Sequence, residues 1–409
     1  MSDERPKEQA LPDVVTQDSL AAEGVDSRSQ DALDVQGELE EAPAAGDSTV
    51  QVASQWQLIW WKFRKHKLAM FSLWVLVFVY LIAIFAEFLA PALPGSFSAQ
   101  YTYAPPQIIK FFGRDAESNL LPMYVNDYTS EVDPESFRRT FVTDPEVKVP
   151  VGLFVEGEPY KLWGLISMNR HLIGPLEVGA PFYLMGADRL GRDMLSRVIY
   201  GTRVSMSIGL IGVALALFLG IFLGGISGYY GGWVDNLIQR IIEFLRSIPT
   251  IPLWMGLAAA IPLTMPPLEV YFWITVILSL IGWTGLARVV RGRFFSLKTE
   301  DFVTAARLDG ISEPKIILKH MVPSFMSHII ASVTLAIPAM ILAETSLSFL
   351  GIGLRPPVVS WGVLLQEAQN IRSVATAPWL FWPGMAVVVA VLALNFLGDG
   401  LRDAADPYA

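Results

Sequence analysis

The chain has 409 residues, 53% of them hydrophobic and 17% charged, with a formal net charge of −9. That composition points to an integral membrane protein. It contains no Cys, which excludes disulfides, thiol catalysis and thiolate metal sites, and no basic stripe meets an aromatic platform, so a nucleic-acid partner has no support.

In chain order, residues 1–55 come first. Asp3, Glu4, Asp13, Glu38, Glu40 and Glu41 stand there with few basic residues and no apolar period, the composition of a disordered acidic tail that accounts for much of the net charge. A basic start followed by an apolar core is missing, so the tail does not read as a signal peptide. Residues 56–90 hold the basic flank "KFRKHK" and the clearest apolar run, "LAMFSLWVLVFVYLIAIFAEFLA".

Spanning a bilayer takes about 20 mostly apolar residues. Six stretches qualify: 68–90, 204–228, 236–262, 270–290, 325–349 and 379–400. The third is interrupted by Arg240, Glu243, Arg246 and three prolines. Lys and Arg in short flanks set orientation. They crowd before the first stretch and between the fourth and fifth, as Arg288, Arg291, Arg293, Lys298, Arg307, Lys315 and Lys319, and are missing from "TMPPLEV". The N-terminus, the 291–324 segment and the C-terminus are therefore expected on the cytoplasmic side of the lipid bilayer. Residues 91–203 are expected outside, where aromatic content and the alternation in "KVPVGLFVEG" predict a small β-rich subdomain with a short strand or two. Residues 204–409 form the five-helix remainder.

The segment "DFVTAARLDGISEPKIILKHMVPS" is polar and ordered in character. Read as a helix, it aligns Phe302, Ala305, Ala306 and Asp309 on one side, with the paired Ala letting another surface approach closely. Gly310 stops that helix; Ser312 as N-cap and Pro314 in the first turn start the next. Two readings of this helix–break–helix stand: a docking knob for a partner, or an amphipathic helix resting on headgroups.

Other stretches carry weaker signals. Asp188, Arg189, Arg192, Asp193, Arg197 and Arg203 precede or open the second apolar stretch. They read as mutual salt bridges and caps, or as docking residues for an external protein. Gly220, Gly224, Gly228 and Gly232 recur every fourth residue, a stripe for close helix packing. Glu344 and Glu243 are ionisable groups in apolar stretches and so candidates for a translocation path, with Ser346 and Ser348 beside the first. "RPPVVSWG" predicts an external re-entrant turn. No Gly-x-x-x-x-Gly-Lys-Ser/Thr pattern, catalytic triad, zinc spacing or dinucleotide fingerprint occurs, so neither an enzyme nor a metal site is expected.

The arrangement Ala305, Ala306, Gly310 and Pro323 resembles the EAA loop of ABC importer permeases. The fuller "DFVTAARLDGISEPKIILKHMVP" is similar to the dipeptide/oligopeptide and nickel branch, in its C-type inner-membrane permease subunit. "GADRLGRDMLSRVIYGTRVSMSIGL" and "ILAETSLSFLGIGLRPPVVSWGVLL" resemble the same branch in the same order. Thr304, His320 and Val322 depart from the general loop, and His320 fits the oligopeptide branch. The resemblance covers 186–407 and the first apolar stretch.

It implies an all-α polytopic membrane protein with six transmembrane helices of the type I ABC importer permease fold, plus an extracytoplasmic β-rich insertion after the first. It implies a bacterial or archaeal cytoplasmic membrane. Implied partners are a second homologous permease, two ATP-binding subunits carrying the ATP and Mg, and an extracytoplasmic solute-binding protein. Asp301, Phe302, Ala305, Ala306, Arg307, Asp309, Gly310 and Pro323 would couple to the ATPases. The branch handles peptides, nickel complexes and some oligosaccharides, so an oligosaccharide importer is the alternative within it. A stand-alone secondary transporter would need inverted repeats or a charged relay, and neither is visible.

Overall fold

A computed structural model describes residues 55–114, 120–132, 134, 139–177 and 179–405. The acidic tail through residue 54 and the last four residues lie outside the described set. Helix α1, Gln55–Lys65, ends where His66 caps helix α2, Lys67–Ile84, its Nδ1 accepting from Ala69 N at 3.1 Å. Helix α3 is Met194–Tyr230, α4 Gly232–Ser247, α5 Thr250–Ala259, α6 Pro267–Leu297, α7 Asp301–Leu308, α8 Met326–Phe349, α9 Trp361–Leu365 and α10 Trp382–Ala405.

Five helical stretches are long and apolar enough to cross a membrane, or six if α4 and α5 count as one span. Those two are bent by 87°. Ile248 precedes Pro249 and is forced extended, at φ −88 and ψ 130, so the helix cannot run through. The stretch expected as a single span over 236–262 is thus a broken pair. Helix α3, with 37 residues, is about 55 Å long and begins ten residues before the expected span.

Packing in the bundle rests on small residues, since lipid gives apolar side chains little reason to prefer one another. A Cβ on Gly224 would sit 2.5 Å from the Ala287 carbonyl oxygen of α6, and one on Gly228 would sit 2.7 Å from that of Arg291. Gly220 faces Leu286. Gly232 corrects the expected stripe. It lies past the end of α3 at φ +58 with nothing within 4 Å, so it serves the turn into α4 and not packing. Gly224→Ala is expected to push α3 off α6 and cost about 1–3 kcal/mol. Gly225→Ala, whose Cβ would meet only the Phe294 ring at 3.4 Å, is expected to be near neutral. Unfolding midpoints in detergent distinguish the pair.

The insertion is a four-stranded antiparallel sheet in the order β1-β2-β3-β4: Lys110–Arg114, Leu120–Val132, Arg139–Leu162 and Ile166–Pro175. The expected short strand over "KVPVGLFVEG" is part of the 24-residue β3. One half of β3 pairs with β2 and the other with β4, and Val125, Val149, Val151 and Phe182 form its core. The sheet sits on the end of α2. Trp163 Nε1 donates to Ile84 O at 2.7 Å, and the buried His171 meets Ala90 O through Nδ1 at 2.6 Å.

The bundle has two distinct ends. At the sheet end, Arg203 of α3 donates to Ala83 O of α2 at 2.7 Å, and the Trp361 indole donates to Val198 O at 3.3 Å. At the other end, Tyr230 donates to Glu313 at 3.0 Å, and Phe63 and Ala69 pack with Ala404 of α10.

Candidate functional site

The end away from the sheet carries α7 and the turns after it. Helix α7 closes as a Schellman motif: Gly310 N donates to Arg307 O at 3.0 Å and Ile311 N to Ala306 O at 3.1 Å. Gly310 takes φ +73, which a residue with a Cβ adopts only with strain. Ile311 then packs into the cluster that buries Ala306. Ser312 holds the N-cap position of Glu313–Ile316, yet its side chain makes no capping bond. A π turn at Ile317–Met321 and a short turn with Pro323 lead into α8.

Within α7, Val303 and Ala306 are buried, together with Ile316, Met321 and Phe325, against Val290 and Phe294 of α6. This corrects the expected alignment. Ala306 faces the bundle, while Asp301, Phe302, Ala305, Arg307, Leu308 and Asp309 are exposed, as is Pro323. Leu308 is 84% exposed. Arg307 also leans over the Tyr229 ring at 5.3 Å, fixing the element on the end of α3. Nearby, Arg291 of α6 donates twice to Asp235 of α4, at 2.5 and 2.6 Å, and Ser227 donates to the same carboxylate at 2.5 Å. The outcome is an apolar and charged face held rigidly on an anchored base.

At the sheet end, Glu344 is fully buried. Its Oε1 accepts from Ser348 at 2.8 Å and Ser360 at 2.7 Å, and its Oε2 from Ser205 at 3.4 Å. Each hydroxyl in turn accepts a backbone N–H: Leu354 N at 3.0 Å, Val363 N at 3.2 Å and Trp361 N at 3.1 Å, respectively. One carboxylate thereby ties α3, α8 and the 350–365 segment together. The expected re-entrant turn is folded into the bundle, with Trp361 1% exposed. Of the other path candidates, Ser348 joins Glu344. Ser346 is exposed and bonds its own helix, donating to Leu342 O at 2.7 Å. Glu243 lies on α4, exposed beside Arg240 at 2.8 Å.

The turn ahead of α3 is built around Asp188, which is 0% exposed. Its Oδ1 accepts Leu190 N at 2.8 Å and Arg192 N at 3.0 Å; its Oδ2 accepts Arg192 Nε at 2.6 Å and also Arg197 Nη1. Asp193 caps α3 through Ser196 N at 2.8 Å. Burial, reinforced by the charge of Asp188, pushes the Asp193 carboxyl up to about 6. Asp188 and Asp193 therefore satisfy the turn and the helix end and present no face to a docking protein; Arg192 is half-buried and Arg189 exposed. Arg203 pairs with Glu87 at 2.5 Å instead of with its sequence neighbours. Burial raises the Glu87 carboxyl, but hydrogen bonds and charge from Arg203 outweigh it and leave it below the usual range. Sequence reasoning missed Ser205, Ser360, Glu87, Asp235 and Glu367; no local pattern marks them.

The described residues thus form a helical bundle with five or six candidate membrane spans, a clamped helical element at one end and a sheet at the other. Residues 216–408 match the family described as binding-protein-dependent transport system inner membrane component, and the chain belongs to it. Residues 54–106 match the N-terminal TM domain of oligopeptide transport permease C. The dipeptide transport system permease protein DppC of Bacillus subtilis is 38% identical over 224 residues, covering 54% of this chain and 68% of that one. DppC of Lactococcus lactis subsp. cremoris is 31% identical over 375 residues, covering 89% and 94%. The glutathione transport system permease protein GsiD of Pectobacterium atrosepticum is 37% identical, covering 61% and 79%. Among solved structures, the methionine ABC transporter MetNI in inward-facing conformations is similar at 17% identity and a TM-score of 0.41, covering 52% of this chain and 98% of that chain. The resemblance read from Ala305, Ala306, Gly310 and Pro323 is borne out at the level of family.

Proposed function

We propose that this chain is one of two permease subunits of an ABC importer for short peptides. It works with a second homologous permease, two ATP-binding subunits that hold ATP and Mg, and an extracytoplasmic solute-binding protein. The α7 end faces the cytoplasm, where the charge distribution puts it. The sheet faces outward, and both termini are cytoplasmic. The relatives named for dipeptide and glutathione transport support the cargo class.

The observation that carries the reading is the division of α7 into a clamped face and a free one. Val303 and Ala306 are buried on the bundle while Phe302, Ala305 and Leu308 project from it. An apolar side chain as exposed as Leu308 fits a docking anchor. Because the Schellman closure and the π turn lead directly into α8, displacement of this element moves that helix. Leu308→Asp is expected to weaken docking by about 2 kcal/mol, near thirtyfold. Uptake into proteoliposomes carrying all subunits should fall accordingly, with the unfolding midpoint unchanged. Undiminished uptake would reject the coupling role.

A further inference from the structure

A cavity of about 400 Å³ opens beside the Asp188 turn, lined by Tyr103, Arg189, Arg192, Arg197, Glu367 and Ser373 among others. Its size is that of a small-molecule site, for which about 300–1,000 Å³ is usual. Its walls come from separate parts of the chain: the segment before β1, the turn ahead of α3, and residues 366–373 after α9.

The charges in it are unbalanced. Three guanidinium groups meet two carboxylates. Asp188 has both oxygens committed to the turn and to one N–H each from the Arg192 and Arg197 side chains. Glu367 Oε1 accepts Arg189 N at 2.9 Å. The rest of the donor capacity is unspent. Arg197 is only 4% exposed, and its Nε has no hydrogen-bond partner. Arg192 uses only Nε of its side chain. Arg189 makes no side-chain hydrogen bond among the described residues and stands at the rim. A buried guanidinium with an unmet N–H is costly to hold, and planar guanidinium forks fit carboxylates bidentately. The hydroxyls of Tyr103 and Ser373, also in the lining, lie 3.1 Å apart and offer neutral polar groups.

We propose that this cavity binds a small solute through a carboxylate, the C-terminus of a short peptide, with Arg189 and Arg192 as the contacting forks and Arg197 supplying charge from behind. The proposal rests on the peptide-permease reading for its choice of solute. An acidic side chain of a docking protein has the same chemistry, but a concave volume of about 400 Å³ lined by three guanidinium groups, one carboxylate and two hydroxyls matches a free solute better than a flat protein surface.

The test uses the full chain in lipid nanodiscs, titrated calorimetrically with dialanine and with dialanine amide, which lacks the carboxylate. Saturable binding of the acid is expected, with the amide about tenfold weaker. Arg189→Gln, which breaks no bond of the turn, is expected to weaken the acid about tenfold and leave the amide unchanged. Arg192→Gln should do the same if it folds; Arg189→Gln decides the matter if it does not. Equal affinity for acid and amide, no binding of the acid below about 10 mM, or Arg189→Gln changing only the affinity for a solute-binding protein would each overturn the proposal. The underlying reading fails differently. Acid binding with no ATP-driven dialanine uptake by the assembled transporter would reject the cargo and leave the site standing; uptake without carboxylate-dependent binding would do the reverse.

Discussion

Asp188→Ala is expected to destabilise the protein by about 3–5 kcal/mol, the range for removing one partner of a buried ion pair. The loss has two parts. Arg197 stays buried at 4% exposure with no countercharge in contact, and the Leu190 and Arg192 N–H groups lose their acceptor. Asp188→Asn keeps an oxygen for the turn but not the charge, and should fall between the variant and the parent. Arg192→Ala, which removes a partly exposed arm, should cost about 1 kcal/mol. Denaturant unfolding in detergent orders the three. A midpoint for Asp188→Ala equal to the parent's would mean that the turn is not held by this carboxylate.

Glu344→Ala ranks next, at about 2–4 kcal/mol, because it strands three buried serine hydroxyls at once. Each hydroxyl already accepts a backbone N–H, so each would have to find a new acceptor or go without. Glu344→Gln retains an acceptor oxygen and should cost less than half as much. Ser346→Ala is the internal control, within about 0.5 kcal/mol, since its hydroxyl is exposed and bonds only its own helix. Thermal unfolding followed by circular dichroism separates these outcomes. Glu344→Ala matching Ser346→Ala would show that the network contributes no stability.

What the sequence disclosed and what it hid divide along range. The helix stop at Gly310 was legible because a positive φ and the two Schellman bonds are settled within five residues. The apolar spans were legible because composition alone marks them. The identity of the inward face of α7 was not. Val303 and Ala306 are three apart, as Phe302 and Ala305 are, and only the position of Phe294 across the gap selects between the two pairs. The length of β3 was hidden by Pro145, Pro150 and Pro159, which argue against a long strand. Its two halves pair on different sides, and the register shifts between Glu156 and Tyr160 beside the last of these prolines. Glu344 was singled out as a charge among apolar neighbours, yet its partners Ser205 and Ser360 lie 139 and 16 residues away. No periodicity reaches that far. Asp235 and Arg291, 56 residues apart, were missed for the same reason.

The way the sheet sits on α2 also bears on how the strands relate to the helices. A helix ends with carbonyls that its own backbone cannot satisfy. Here the donors arrive from far along the chain: Arg203 for Ala83, Trp163 for Ile84 across 79 positions, and His171 for Ala90 across 81. Two of those three donors belong to the insertion, Trp163 in the turn between β3 and β4 and His171 in β4. A shortened protein that excised residues 107–176 would strip the Ala90 oxygen of its His171 partner and leave the Ile84 oxygen to Arg203 alone. The strands are thus welded into the first crossing as its terminal seal, and are no detachable ornament.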